Sequence, residues 1–414
     1  MNRALTSDGL SWRRRLVELV TREHESGAAS GHELISDERP VADWQVLEYS
    51  RAADVPATHW DAIAAGVVVR SHRYLSAMEA CSASCGPRYY LRVEETPGRA
   101  VAEASISLVE TDFLQLMPSW FVPFARVWRR LFPGFLKAYI TECGAPMVAA
   151  HGVAIEADKV DASSIMKLLD GHCLKIAKRH QSPLIVFRDV KSDEANLFDG
   201  LLQCGYRKVS SMPLAEIDVD WQTYEGYLAA MRRRYRKDLR RRLRRGAGAG
   251  NELIQVEDIA VDAELWAAQA NVIYSGSSSF KREQLNSSYY AEMGERLADS
   301  SELVAVNREN KPVAHGIVLH DEATTIATFF GRREGKPQAE WFQLINEVIR
   351  RAILRGSRTI HLGRGSYEAK SLVGAKIKPL YAYCKSSNLF LRFLMRVVPS
   401  TMEPERTSHH HIFK

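Results

Sequence analysis

YYLRVEETPGRAVAEASISL (Tyr89–Leu108) and SELVAVNRENKPVAHGIVLH (Ser301–His320) decide the fold. Each alternates apolar with polar residues around a polar turn, near Pro97-Gly98 in one and Asn310-Lys311 in the other. That pattern predicts two antiparallel strands joined as a hairpin. The segments after the two hairpins are also alike. A further strand comes next, KAYITECG in the first half and TIATFFG in the second. Then comes an amphipathic helix, SSIMKLLDGHCLKIAKRH or EWFQLINEVIRRAILRG. Ile165, Leu168, Leu169 and Cys173, and Phe342, Ile345, Ile349 and Ile353, recur at helical spacing. A short apolar strand comes after the helix, PLIVFRDV or RTIHLGRG, and each half closes on a similar phrase, CGYRKVSSMPLAEIDV or VGAKIKPLYAYC. Repetition of one ordered set of elements predicts a duplicated unit. The expected class is α/β (α+β), with two tandem units, each a mixed, mostly antiparallel sheet flanked by helices.

Working outward, residues 1–55 are polar, mixed in charge and poor in apolar period, an extension with one short helix at Trp12–Glu25. The first unit is expected over 56–220, a basic linking helix over 221–250, the second unit over 251–398 and a loose tail over 399–414. The first unit carries an apolar insertion, FLQLMPSWFVPFARVWRRLFPGFL, at 113–136. Its prolines and arginines exclude a membrane span. It is expected to pack on the core, with a surface for a greasy partner as the other reading.

The chain has 414 residues, a length for two or three domains, with 46% hydrophobic and 26% charged residues. That composition excludes collagen-like, mucin-like and wholly disordered chains. Six cysteines are scattered, and the close pair Cys81 and Cys85 has no matching ligand pair, so no structural zinc is expected. The beginning MNRALTSDGLSWRRRL lacks an apolar signal core, which predicts a cytoplasmic chain. His409–His411 read as part of a solvated tail.

Net charge is +6, but it is concentrated. WQTYEGYLAAMRRRYRKDLRRRLRRGAGAG (221–250) holds ten Arg or Lys against Glu225 and Asp238. The segment stands at +8, so the other 384 residues stand at −2. Tyr227, Leu228, Met231, Tyr235, Leu239 and Leu243 form an apolar stripe at spacings of three and four. This is a helix that either bridges two domains as a solvated face or offers a phosphate-contacting surface. Arginine's planar fork suits the second task.

Four passages carry a family resemblance: FRDV followed by LLQCGYRKV; YEGYLAAMRRRYRKDLRRRLRR; FKREQLNSSYYAEM; and HLGRGSYEAKSLVGAK. In this order, over about residues 60–395, the chain resembles the tandem GNAT acyltransferases, which include Fem-type aminoacyl-tRNA transferases and two-domain N-acyltransferases of biosynthetic clusters. The resemblance implies an acyl transfer onto an amine. It implies aminoacyl-tRNA as co-substrate, with no tightly bound cofactor and no metal. The alternatives are an acyl-CoA-dependent N-acetyltransferase and a non-catalytic tRNA- or phosphate-binding protein. CoA-using members carry a glycine turn whose amides hold the pyrophosphate. Here Arg332-Arg333-Glu334-Gly335-Lys336-Pro337 keeps the Arg and the Gly, but Pro337 lacks an N–H.

The resemblance places a hallmark lysine at Lys370, to bind phosphate or the donor, or to stabilise the oxyanion. Glu368 is a candidate to take the amine's proton through water, and Tyr367 to protonate the leaving group. Arg332 and Arg364, with Arg233, Arg236, Lys237 and Arg240 of the basic helix, are candidates for the donor's phosphates. Arg188 and Asp189 either face an acceptor pocket or form an internal ion pair. His361 and His315 read as structural. The second unit, whose turn and lysine loop stay polar, is expected to hold the cleft.

Overall fold

The computed structural model describes residues 44–81, 86–116, 121–156, 160–276, 284–333, 339–386, 388, 391 and 411–414. The predicted helix at Trp12–Glu25 and most of the predicted tail lie outside them. The described residues all belong to the unit Asp43–Lys414.

The chain runs β1 (Gln45–Tyr49), α1 (Ala57–Ala64), α2 (His72–Ala80), β2 (Arg88–Thr96), β3 (Arg99–Asp112), α3 (Val122–Leu131), β4 (Lys137–Cys143), β5 (Val153–Ile155), α4 (Ala162–Arg179), β6 (Ile185–Lys191), α5 (Asp199–Gln203) and β7 (Arg207–Asp218). Two linking helices come next, α6 (Tyr224–Ala230) and α7 (Arg233–Gly248). The second pass has β8 (Asn251–Val256), α8 (Ala263–Gly276), α9 (Ser287–Arg296), β9 (Ser301–Arg308), β10 (Lys311–His320), β11 (Thr324–Arg332), α10 (Glu340–Arg355), β12 (Thr359–His361), α11 (Tyr367–Ser371) and β13 (Lys376–Lys385). The order of elements repeats, and the fold class is the duplicated, mostly antiparallel α/β one. The sheet begins earlier than the sequence suggests, because β1 pairs with β2.

Alternation explains the first layer. Leu91 and Val93 of β2 and Ala102, Ala104, Ile106 and Leu108 of β3 form one core with Ile165, Leu169, Cys173 and Ile176 of α4. Each such large apolar side chain contributes about 1.5–3 kcal/mol by leaving water. Asp161 caps α4, accepting from the Ser163 and Ser164 amides. The second unit repeats this with Ile345, Ile349 and Ile353 of α10, which ends at Gly356 in the left-handed region at φ +78°.

The strand order is β1-β2-β3-β4-β6-β13-β7-β12-β11-β10-β9-β8, with β5 on β3. Each unit has therefore given its final strand to the other. β13 lies between β6 and β7, antiparallel to both. β7 carries the first unit's end to β12. The helical layer is shared too: Tyr74 and Met78 of α2 and Tyr289, Tyr290 and Met293 of α9 lie in one core with Trp60 and Trp266.

Three expectations change. The single linking helix expected over 221–250 is two, because the backbone is extended at Met231 (ψ 141°) and separates α6 from α7. The insertion does not bury its apolar face. α3 turns Ala125 inward and leaves Phe124, Val127, Trp128 and Leu131 exposed. The chain end is not wholly loose. Ile412 is buried, the Phe413 ring packs 4.8 Å from Trp221, and the Arg232 amide donates to the Ile412 carbonyl at 2.8 Å.

His315 is structural, as expected. It is fully buried between the Gln269 carboxamide oxygen and the Tyr290 hydroxyl, each at 2.9 Å, and burial pushes its pKa down to about 3. Gly331 lies against its ring. A Cβ there would overlap His315 and come within 2.9 Å of the Ala270 backbone nitrogen. Gly331→Ala is expected to lower stability by about 1–3 kcal/mol, the usual cost of overpacking, read as a lower denaturant midpoint at unchanged slope.

Candidate active site

β11 and β12 are parallel neighbours from Thr324 and Thr359 only as far as Ile326 and His361. Beyond that they part. β11 runs on to Arg332, with its register against β10 shifted between Ile317 and Val318, opposite Ala327–Phe329. β12 gives way to a turn in which Gly363, Gly365 and Ser366 all have positive φ (72°, 73° and 48°). Glycine allows that path without a Cβ clash, while Ser366 carries some strain. The two strands are unpaired with each other beyond Ile326 and His361, an opening at the strand ends with α11 starting just after the turn. Openings of this kind at strand ends are where α/β sheets take ligands.

Lys370 lies in the last turn of α11 and is 5% exposed. Its Nζ donates to the Arg364 carbonyl at 2.8 Å. Burial lowers its pKa to about 7. The half-buried Tyr367 donates its hydroxyl to the Pro213 carbonyl at 2.8 Å, and burial raises its pKa, so it stays protonated at neutral pH. Glu368 is exposed on the outer side of the same short helix.

Arg364 joins this loop to the first unit through its ion pair with Asp189. Burial lowers the Arg364 pKa to about 10, helped by the nearby Arg188. Asp189 is buried in β6 with φ +63°, where the register against β13 shifts. Arg188 pairs with both Asp189 and Glu142. It also donates to the carbonyls of Val148 at 2.8 Å and Ala145 at 2.5 Å. The guanidinium lies on Gly144, where a Cβ would stand 2.5 Å from Nε. Gly144 is where β4 parts from β6, so Arg188 fills the first unit's opening. Arg188 and Asp189 form a buried ion pair with each other.

A second polar group lies at the seam between units. Glu216 of β7 is buried and pairs with Lys191 at 2.8 Å, with His361 Nε2 at 2.9 Å and with Lys378. Burial pushes its carboxyl up, but the hydrogen bonds from His361, Lys191 and Lys378 outweigh that and hold it well below the usual range. Lys376 and Lys378 also hold Asp218, each at 2.8 Å. Sequence reasoning missed Glu216, Lys191 and Lys378. The signal was present as two period-two pairs, Glu216 with Asp218 and Lys376 with Lys378; Lys376 stands opposite Glu216 across β7 and β13, and the ion pairs Lys376–Asp218 and Lys378–Glu216 run diagonally.

The structure thus gathers Lys370, Tyr367, Arg364, Asp189 and Arg188 around one loop. Arg332 ends β11, and the turn after Arg333 lies outside the described residues. The basic candidates are on α7. Arg233, Lys237 and Arg240 are exposed, whereas Arg236 donates to the Leu228 and Ala229 carbonyls at 3.3 Å. Asp238 holds Arg241 and Arg242. The Arg242 guanidinium lies 4.4 Å from the Phe342 ring, which seats the helix on α10. No group of three or more His, Cys, Asp or Glu suited to a metal occurs among the described residues.

A profile of the FemAB_like family, described as peptidoglycan biosynthesis/recognition, matches residues 51–363. Among solved structures, FemX aligns at 11% identity and TM-score 0.53, over 84% of this chain and 99% of its own. A tandem GNAT protein from the clavulanic acid biosynthesis pathway aligns at 9% identity and TM-score 0.51, over the same shares. These show a common fold. Curated relatives named as 8-amino-7-oxononanoate synthase 2, from two Mycobacterium tuberculosis strains, are 22% identical over 231 residues, 55% of this chain. The chain spans 29% of their length.

The buried Lys370 makes a stability prediction. Its folded pKa of about 7 lies below the ordinary 10.5, so between these values the unfolded chain binds the extra proton. Stability then rises with pH across about pH 7 to 10.5. Lys370→Met is expected to flatten that rise, as measured by chemical denaturation of both proteins at a series of pH values.

Proposed function

The chain belongs to the FemAB-like family and has the tandem GNAT fold of an N-acyltransferase, and on that premise we propose that it moves an aminoacyl group from aminoacyl-tRNA onto the amine of a small-molecule or peptide acceptor. The observation that carries this reading is the asymmetry of the two openings. The first is filled by Arg188, while the second is bordered by parted strands and by the loop of Lys370. The reaction is assigned to the second.

The amine attacks the ester carbonyl carbon. A C–N bond forms, the ester C–O bond breaks, and the ribose hydroxyl leaves with a proton. Negative charge grows on the carbonyl oxygen, and preorganised N–H donors at that oxygen are worth about 3–4 kcal/mol each. The unpaired edge of β11 past Ile326 supplies backbone donors in a suitable place. With its pKa at about 7, Lys370 exchanges a proton near neutrality. Tyr367, kept protonated, is suited to give a proton to the leaving ribose oxygen, and the exposed Glu368 to take the amine's proton through water. Arg364, held by Asp189, fixes the backbone carbonyl on which Lys370 rests.

The tRNA donor is supported by α7, whose Arg233, Lys237 and Arg240 face solvent, and by Pro337 in place of an amide donor. The family's description, peptidoglycan biosynthesis/recognition, supports a peptide amine as acceptor. Acyl-CoA is the second reading. It is favoured by Arg332 at the strand end before Gly335.

Transfer from radiolabelled aminoacyl-tRNA is expected and is expected to stop with ribonuclease. Activity that survives ribonuclease and requires acetyl-CoA selects the second reading. Lys370→Ala is expected to abolish turnover with the protein still folded by circular dichroism. Reversing Arg233, Lys237 and Arg240 to Glu is expected to raise the donor KM at least tenfold at low salt and to flatten its salt dependence.

A further inference from the structure

α3 is ten residues long, about 15 Å. Phe124, Val127, Trp128 and Leu131 fall at i, i+3, i+4 and i+7, the spacing of a core-facing stripe. Here that stripe faces solvent. Phe124 is 53% exposed, Val127 57% and Leu131 72%, and Phe132 just beyond the helix is 56% exposed. The rings form a continuous row: Phe121 to Phe124 at 5.6 Å, Phe124 to Trp128 at 6.0 Å and Trp128 stacked on Phe132 at 5.6 Å.

The helix is firmly held on its other side. Ala125 is fully buried. Arg129 makes two bonds to Asp112, at 2.8 and 2.5 Å, and a third to the Phe135 carbonyl at 2.9 Å. The outward direction of the stripe is therefore built in.

Charge identifies the occupant. Phe113–Lys137 contains Arg126, Arg129, Arg130 and Lys137 and no Asp or Glu. Arg126 and Arg130 lie beside the stripe, Arg126 exposed and Arg130 on the next turn, with no carboxylate partner among the described residues. An aromatic and aliphatic stripe flanked by such arginines is the arrangement of a helix lying in the interface of an anionic bilayer. Tryptophan at that level keeps its ring in the acyl boundary and its N–H in the headgroups. No helix among the described residues is long and apolar enough to cross a membrane.

We propose that α3 docks the protein on anionic lipid. Phe124, Val127, Trp128 and Leu131 enter the acyl boundary, and Arg126 and Arg130 contact lipid phosphates. The inference does not depend on the acyl donor or on catalysis.

The test is flotation of the full chain with vesicles of phosphatidylcholine alone and of phosphatidylcholine with phosphatidylglycerol. The expected result is flotation with the anionic vesicles and at least tenfold weaker binding to the neutral ones. Phe124→Ser with Leu131→Ser is expected to cut binding at least tenfold. Arg126→Glu with Arg130→Glu is expected to abolish the preference for anionic lipid. These side chains lie on the outer surface, so thermal unfolding should be unchanged, and acyl transfer to a soluble amine should persist. Failure to float with either vesicle overturns the proposal, as does flotation indifferent to both double variants. Sedimentation velocity showing a dimer that the serine variant dissociates, with no flotation, assigns the stripe to a second copy instead.

Discussion

β13, the last strand of the second unit, is inserted between β6 and β7 of the first. β7 in turn is the strand on which β12 closes. Because of this exchange neither unit has a complete sheet alone, and the penultimate strands of both, β6 and β12, are drawn to one seam. The loop after β12 then lies within reach of β6, which allows Arg364 to pair with Asp189 and Lys370 to rest on the Arg364 carbonyl. The candidate active site is a consequence of the exchange, not a property of either repeat.

The seam is expensive. Removing each ion from water costs several kcal/mol, and attraction offsets this only when lone pairs and protons are well matched. Arg188 meets that condition with two carboxylates and two carbonyls. Glu216 meets it with two lysines and a histidine. Lys370 does not, since its partner is a carbonyl, and burial lowers its pKa to about 7. Among these buried groups it is Lys370 whose pKa lies near neutral pH.

The two copies have diverged in what occupies their openings. In the first, Arg188 lies on Gly144, and β5 folds back onto β3. In the second, a glycine turn with left-handed backbone stands in that place. Among the described residues, then, Arg188 occupies the first unit's opening, and the loop of Lys370 borders the second's. The surface has specialised too, with an exposed cationic helix at α7 and an outward apolar stripe on α3.

The duplication was legible in the sequence because period-two and period-3.6 patterns are local, and the elements of the second pass repeat those of the first. The loop of Lys370 was legible for a similar reason: glycines and polar residues interrupt a short apolar strand where a sheet ends. Glu216 with Asp218 and Lys376 with Lys378 were visible as alternations but not as partners, because alternation assigns a face and leaves the neighbouring strand unspecified. In the same way, the spacing of Phe124, Val127, Trp128 and Leu131 established a stripe without its direction, which Ala125 and the Arg129–Asp112 pair decide. Sequence by itself therefore determined most of the elements, their order and their faces, all products of backbone sterics and local burial, while β1 and the break at Met231 escaped it. Only tertiary structure decided which strands met, which opening was filled and which apolar face was left in water, because those depend on pairing between residues far apart along the chain.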